Sequence, residues 1–183
     1  MATETRARAA GTGDVVSSAT WGIVGLNLAW ITGVIGSFAE EGRNLQELLY
    51  SFAAMGGTSG AAVLVARHVR AGRELAAGGF ALMTAIGVGQ VLAGFGGGAA
   101  DGIFVQLAVV YLPALLLIAA QDWGPMWARG AAAASGLAFA FYGYTRTLGD
   151  KAPDSDNVAV LVAYLFLTIA IIGWSMVLRS ETD

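Results

Sequence analysis

Apolar residues run along this chain in six long stretches, separated by short polar breaks. They lie at about 19–38, 48–66, 75–98, 103–120, 126–145 and 157–178. A helix needs about 20 mostly apolar residues to cross a hydrocarbon core roughly 30 Å thick, and each stretch reaches or approaches that length. Membrane β-barrels need segments of about ten residues that alternate apolar and polar positions. Leu107–Ala120 and Val158–Gly173 do not alternate. The pattern therefore predicts an all-α, polytopic membrane protein: a bundle of six transmembrane helices over residues 19–178. The connections are short, the longest being the polar segment Thr147–Asp156, which makes successive helices antiparallel neighbours. Residues 1–18 carry Glu4, Arg6, Arg8 and Asp14 without an apolar core. They read as a disordered cytoplasmic N-terminal tail and not as a signal peptide. Residues 179–183 form a short cytoplasmic C-terminal tail.

Composition agrees with the pattern. Of 183 residues, 56% are hydrophobic and 13% charged, against about 45–50% and about 25% in soluble domains. The 26 glycines lack a G-X-Y period and sit inside the apolar runs, which excludes collagen and low-complexity readings. Between lipid-immersed helices no hydrophobic force acts, so small residues that allow close packing are the expected adhesive. Gly25, Ala29, Gly33 and Ser37 repeat at spacing four in the first span, and Gly56 and Gly60 do so in the second. Gly94 and Gly98 in the third and Ala132, Gly136 and Ala140 in the fifth follow the same rule. Span six is rich in Leu, Ile and Phe and reads as lipid- or oligomer-facing. Trp21, Trp123, Trp127 and Trp174 lie towards span ends, as interfacial anchors do.

Orientation follows from Lys and Arg. With both termini inside, Arg6, Arg8, Arg67, Arg70, Arg73, Arg129 and Arg179 face the cytoplasm, against Arg43, Arg146 and Lys151 outside. The expectation is a multi-pass protein of the cell inner (plasma) membrane with both termini cytoplasmic. A net charge of −3 does not call for nucleic acid as a partner.

No ionisable side chain falls at mid-span, so a carboxylate relay or a buried ion pair there is not expected. Asp101 and Arg129 lie close to span ends. The interior instead holds neutral polar groups, among them Thr20, Asn27, Thr32, Thr58, Thr84, Gln90, Gln106, Tyr111 and Tyr164. Each can serve either as a hydrogen bond between helices or as lining for a small polar solute. The amides of Asn27, Gln90 and Gln106 have the most bonding sites to satisfy. Gly57-Thr58-Ser59-Gly60 matches the G-x-S-G of intramembrane serine proteases. Such an enzyme needs a histidine base on another helix at membrane depth. The single histidine, His68, follows the same span and reads as a solvated loop residue, with pH sensing as the alternative. Gly94-Phe-Gly-Gly-Gly98 lacks the Lys-Ser/Thr of a phosphate loop. One histidine and no cysteine leave no usual zinc or haem ligand set. No catalytic residues, no metal and no cofactor are expected.

Six short-looped helices with cytoplasmic termini resemble the acetate uptake transporter family of acetate–succinate permeases. Its first-helix signature, Asn-Pro-Ala-Pro-Leu-Gly-Leu, corresponds to Ser17-Ser18-Ala19-Thr20-Trp21-Gly22-Ile23, followed by Gly25. Ala19 and Gly22 match and Ile23 is conservative, whereas the Asn and both prolines are absent. The family's paired glycine, basic loop and third-helix aromatic resemble Gly56-Gly57, Arg67–Arg70 with Gly72, and Gly79-Phe80. Its third-helix Ser-Tyr-Gly and Phe-Trp are replaced by Leu82-Met83-Thr84 and Ile86-Gly87. The resemblance implies a small monocarboxylate such as acetate crossing each protomer of a homo-oligomer, coupled to protons, with Thr20, Trp21, Asn27, Thr58, Phe80 and Thr84 as substrate-binding or pore-lining residues. The proton can travel on the neutral acid. The expected function is a membrane channel or proton-coupled transporter for a small solute, not an enzyme. The alternative is a non-transporting membrane subunit or scaffold whose loops dock a partner protein.

Overall fold

The structure, a computed structural model, describes residues 2–39, 44–95, 100–148 and 155–181. Side chains are described at 18–36, 38, 39, 45, 48–92, 105–147 and 158–181. Six helices follow one another: α1 (Ala2–Phe38), α2 (Asn44–Arg70), α3 (Glu74–Phe95), α4 (Ala100–Ala120), α5 (Met126–Leu148) and α6 (Ser155–Ser180). The backbone of residues 2–17 is helical, where the sequence pattern predicts a tail; Ala, Glu and Arg there favour helix. The side chains of Arg6, Arg8, Ser37, Arg43, Gly94, Gly98, Asp101 and Lys151 lie outside the described residues.

Each helix packs against its neighbours in chain order, and α6 returns to α1. Among the described residues these are the pairs whose backbones run side by side, and side chains such as Phe80 of α3 and Trp174 of α6 meet across the axis. The result is a closed ring of six helices whose axis is filled by side chains alone. Its slightest seam is α1–α6.

Glycines set the spacing of the ring. A Cβ added at Gly25 would lie 2.7 Å from Gly60 N and 2.8 Å from the Gly56 carbonyl oxygen. One added at Gly60 would lie 2.8 Å from Leu26 N. At these positions α1 and α2 meet backbone to backbone, as the spacing-four pattern predicts. Gly143 repeats the arrangement on α5, where a Cβ would lie 2.8 Å from the Val105 carbonyl oxygen of α4. Dispersion contacts and close backbone approach supply the adhesion that lipid cannot.

Two expectations are corrected. α6 is not peripheral: Ala163, Leu167, Ala170, Ile171, Trp174 and Leu178 are buried in the core, and its outer face keeps Leu161, Leu165, Ile172 and Met176. Trp123 and Trp174 are not interfacial anchors, being 3% and 0% exposed, whereas Trp21 and Trp127 point outward. Position near a span end is shared by both pairs. What separates them is whether the ring's axis or its surface lies on that side of the backbone.

Four helices contain segments long and apolar enough to cross a membrane: Ser18–Gly36, Leu48–Arg70, Glu74–Leu92 and Val158–Ser180. Val105–Ala120 in α4 is a shorter apolar segment. α5 carries Arg129 and Arg146 near its ends and is rich in glycine and alanine, which lowers its hydropathy without removing it from the ring.

Candidate functional site

The six sequence-predicted site residues do not converge on one path. Thr20 and Trp21 lie on the exposed face of α1. The amide of Asn27 donates to the Ile23 carbonyl at 2.7 Å and to Ser175 Oγ of α6 at 3.1 Å, and it accepts from Trp30 Nε1 at 2.9 Å. It bridges the α1–α6 seam. Thr58 donates to the Ala54 carbonyl at 2.6 Å and Thr84 to the Phe80 carbonyl at 2.9 Å. Such bonds to the preceding turn satisfy a hydroxyl without reaching across to another helix. Thr58 also fills the space beside Gly87 on α3. Gln106 is exposed. Of the six, Phe80 alone is fully buried.

The ring's axis is closed by two aromatic layers. Towards the end that carries the α1–α2, α3–α4 and α5–α6 connections, Phe139 stacks on Tyr111 at 4.4 Å between ring centres and meets Tyr164 edge-on at 5.3 Å. Gln90 of α3 lies beside the Tyr111 hydroxyl. Tyr164 lies against Gly33 of α1, and Tyr50, Tyr111 and Tyr142 are close enough to interact with it electrostatically. All six helices contribute to this layer.

The second layer lies at the opposite, arginine-rich end. There His68 stacks on Phe80 at 5.3 Å and meets the edge of Trp123 at 4.3 Å, and Phe80 meets Trp174 edge-on at 5.4 Å. His68 is 0% exposed, so the expectation of a solvated loop residue is corrected. α2 continues to Arg70, two residues beyond His68, and the helix holds the ring inward rather than releasing it into the loop.

Local geometry fixes this layer. α2 ends in a Schellman motif: Gly72 N donates to the Val69 carbonyl at 3.1 Å and Arg73 N to the His68 carbonyl at 2.9 Å. Gly72 takes φ +68°, a left-handed conformation that other residues adopt only at a cost. Arg73 is thereby returned over His68. In the α4–α5 connection, Gly124 at φ +88° turns Trp123 inward. Arg129 Nε donates to the Ala119 carbonyl at 2.7 Å, satisfying an end of α4.

Above the aromatic layer sits a carboxylate held by three donors. Arg67 Nη2 donates to Glu181 Oε2 at 2.6 Å, Arg73 Nη2 to Glu181 Oε1 at 2.6 Å, and Trp123 Nε1 to Oε1 at 3.2 Å. The Arg73 guanidinium also lies 5.8 Å from the centre of the Trp123 ring, within cation–π range. Sequence reasoning missed Arg73, Trp123, Trp174 and Glu181 as partners. One signal was present: Glu181 is an acidic residue just past the C-terminus of α6, where the helix dipole disfavours negative charge.

Burial alone would raise the Glu181 carboxyl, but hydrogen bonds and charge from Arg73 and Arg67 outweigh it and hold the group below its usual 4.5. A carboxylate more acidic folded than unfolded adds stability above its unfolded value, and that stability is lost as pH falls through the folded one. The unfolding midpoint is therefore expected to show a Glu181-dependent fall on acidification below about pH 4.5. Melting curves of wild type and Glu181→Gln across that range test this; parallel acid limbs would contradict it.

Among the described residues, neither ring nitrogen of His68 meets a donor or acceptor. A buried polar group without a partner costs about 1–3 kcal/mol. His68→Phe keeps a ring on Phe80 and is expected to raise the unfolding midpoint by a few degrees, roughly what such an energy implies in a domain of this size. A midpoint at or below wild type counts against this reading.

On the outside of the ring, an open groove of about 490 Å³ lies between α5 and α6, lined by Ala134, Leu137, Phe141, Val158 and Val162 among others. Those side chains offer no hydrogen bond to a polar solute.

The chain matches no family model, no curated protein and no solved structure. The class is defined by its helices: this is a helical integral membrane protein.

Proposed function

We propose that the chain crosses the membrane six times and acts as a channel or proton-coupled transporter for a small monocarboxylate such as acetate. The observation that carries this reading is the closed ring of helices whose axis is occupied only by side chains. Side chains can change rotamer to open a route, whereas a central helix would have to leave. Two aromatic layers separated along the axis act as constrictions, with tyrosine hydroxyls and Gln90 as neutral polar contacts beside one of them. The position of α5 in the ring between α4 and α6 supports its crossing despite lower hydropathy. The solute class comes from the first-helix resemblance to acetate uptake transporters. A route without mid-span charge suits an acid carried in its neutral form.

On this reading the protein lies in the inner membrane with both termini cytoplasmic, and its apolar outer faces meet lipid or further protomers of a homo-oligomer. Phe80 stands on the axis as a constriction.

A second reading, a non-transporting subunit or scaffold, is favoured by the engagement of Asn27, Thr58 and Thr84 in hydrogen bonds of the helices themselves. Liposomes containing the purified protein separate the two. The transport reading expects labelled acetate to enter faster than into empty liposomes, and faster still when the interior is more alkaline. Flux equal to that of empty liposomes, for acetate and for a panel of small neutral solutes, would leave the subunit reading standing. Asn27→Leu is expected to lower the unfolding midpoint by an amount equivalent to about 1 kcal/mol, a usual value for a hydrogen bond between membrane helices, while retaining flux. Lost flux at an unchanged midpoint would instead place Asn27 on the route.

A further inference from the structure

The carboxylate of Glu181 and the three groups that hold it differ in how firmly they are built. Arg67 is 7% exposed and Trp123 3%. The backbone of Arg73 is fixed by the Schellman turn that ends α2, and its side chain is 27% exposed. These donors come from α2, the α2–α3 connection and the α4–α5 connection, whereas the acceptor follows α6. Glu181 is a quarter exposed and lies in a turn beyond the last helical residue of α6. Two of the three donors are buried, and the acceptor belongs to the turn that follows α6.

The chemistry of the clamp is specific. One guanidinium meets each carboxylate oxygen, and an indole N–H adds a third bond to one of them. Two guanidiniums meet this one carboxylate. The buried ring of His68 stands behind it, within electrostatic reach of Arg73, Arg67 and Glu181. The whole arrangement closes the arginine-rich end of the ring's axis, immediately above the layer formed by His68, Phe80 and Trp174.

We propose that Arg67, Arg73 and Trp123 form a carboxylate-binding site at the cytoplasmic mouth of the bundle, that Glu181 occupies it as a tethered stand-in, and that a small free monocarboxylate takes the same donors when the α6 turn withdraws. The inference deepens the transport reading and rests on it for the role of the mouth, but the binding site itself is testable without flux. A tethered group competes at an effective concentration of the order of millimolar. Free acetate therefore binds weakly to the wild-type chain and much better once the tethered carboxylate is gone.

The test uses full-length protein in detergent micelles at constant ionic strength, as wild type, Glu181→Gln and the double variant Arg73→Gln/Glu181→Gln. Each is titrated with sodium acetate, acetamide and inorganic phosphate, and the unfolding midpoint and tryptophan fluorescence are followed. The expected result is saturable stabilisation of Glu181→Gln by acetate, with half-saturation at least tenfold lower than in wild type. The Arg73 substitution is expected to abolish it, and acetamide to have no effect. Equal half-saturation in wild type and Glu181→Gln, or acetamide matching acetate, would overturn the proposal. Phosphate binding as well as acetate would overturn the carboxylate assignment in favour of a general anion site. Glu181→Asp keeps the charge on a shorter arm, and the same tightening in smaller degree is expected of it, so it serves if the glutamine variant does not fold. Acetate binding without liposome flux would leave the clamp and remove the transport reading; flux without such binding would do the reverse.

Discussion

Gly60→Leu is expected to leave no properly assembled bundle. The Cβ alone would lie 2.8 Å from Leu26 N and 3.0 Å from the Gly25 carbonyl carbon. Both are backbone atoms, so no rotamer change on α1 makes room, and the two helices must separate. Separation also opens the contacts at Gly25 and Gly56, because the three glycines form one surface. Overpacking a core ordinarily costs about 1–3 kcal/mol, and a clash with backbone belongs at or above the upper end. Loss of a monodisperse species in size-exclusion chromatography, or a midpoint lowered by about 6–12 degrees or more, is the expected reading. Gly130→Ala is the control. Nothing lies within 4 Å of a Cβ at that position, and alanine in a helix interior is favoured over glycine by about 0.5–1 kcal/mol. The control is therefore expected to melt at or above wild type. A stable Gly60→Leu protein would mean that α1 and α2 do not meet as described.

The glycine seam was legible in the sequence because a spacing of four is a local property, fixed by helix geometry before any partner is known. The six helices were legible for the same reason. Length and hydropathy are read within one segment, and the short connections then leave a ring of neighbours as the simplest packing. The arginine-rich end of the ring was not legible. Arg67 and Glu181 are 114 residues apart, and nothing local to either announces the other. His68 looked solvated because it is flanked by arginines. In the structure the helix continues through it, so Arg67 and His68 turn inward while Val69 and Arg70 face out. Trp174 and Trp21 carry the same local signal, a tryptophan near a span end, yet one is buried and the other exposed. Only the position of the ring's axis distinguishes them. The neutral polar residues show the opposite limit. Thr58 and Thr84 were read as groups needing partners on another helix or a solute, but each bonds to its own preceding turn, a satisfaction that spacing cannot reveal.

Removing Glu181 is expected to destabilise the protein more than removing Arg67, although each substitution deletes the same ion pair. The asymmetry follows from burial. In Arg67→Met the Glu181 carboxylate keeps Arg73 and Trp123 and, being a quarter exposed, can also turn towards water. In Glu181→Ala the guanidinium of Arg67, at 7% exposed, loses the bond to Glu181 in a place where water cannot replace it fully. Removing one partner of a buried pair costs up to about 3–5 kcal/mol, towards the lower end here because Arg67 makes a further contact, whereas the loss of one bond to a partly solvated carboxylate stays closer to about 1 kcal/mol. Arg67→Met/Glu181→Ala is expected to recover most of the loss, because a buried ion pair replaced by apolar groups is often neutral or stabilising. Unfolding midpoints of the two single variants and the double variant complete the cycle, and a coupling energy near zero would mean that the pair does not form. Acetate adds a further arm. If the vacated space above His68 still presents Arg73 and Trp123 with Arg67, added acetate raises the midpoint of Glu181→Ala but not that of the double variant, which lacks one of the two guanidiniums that a carboxylate bridges.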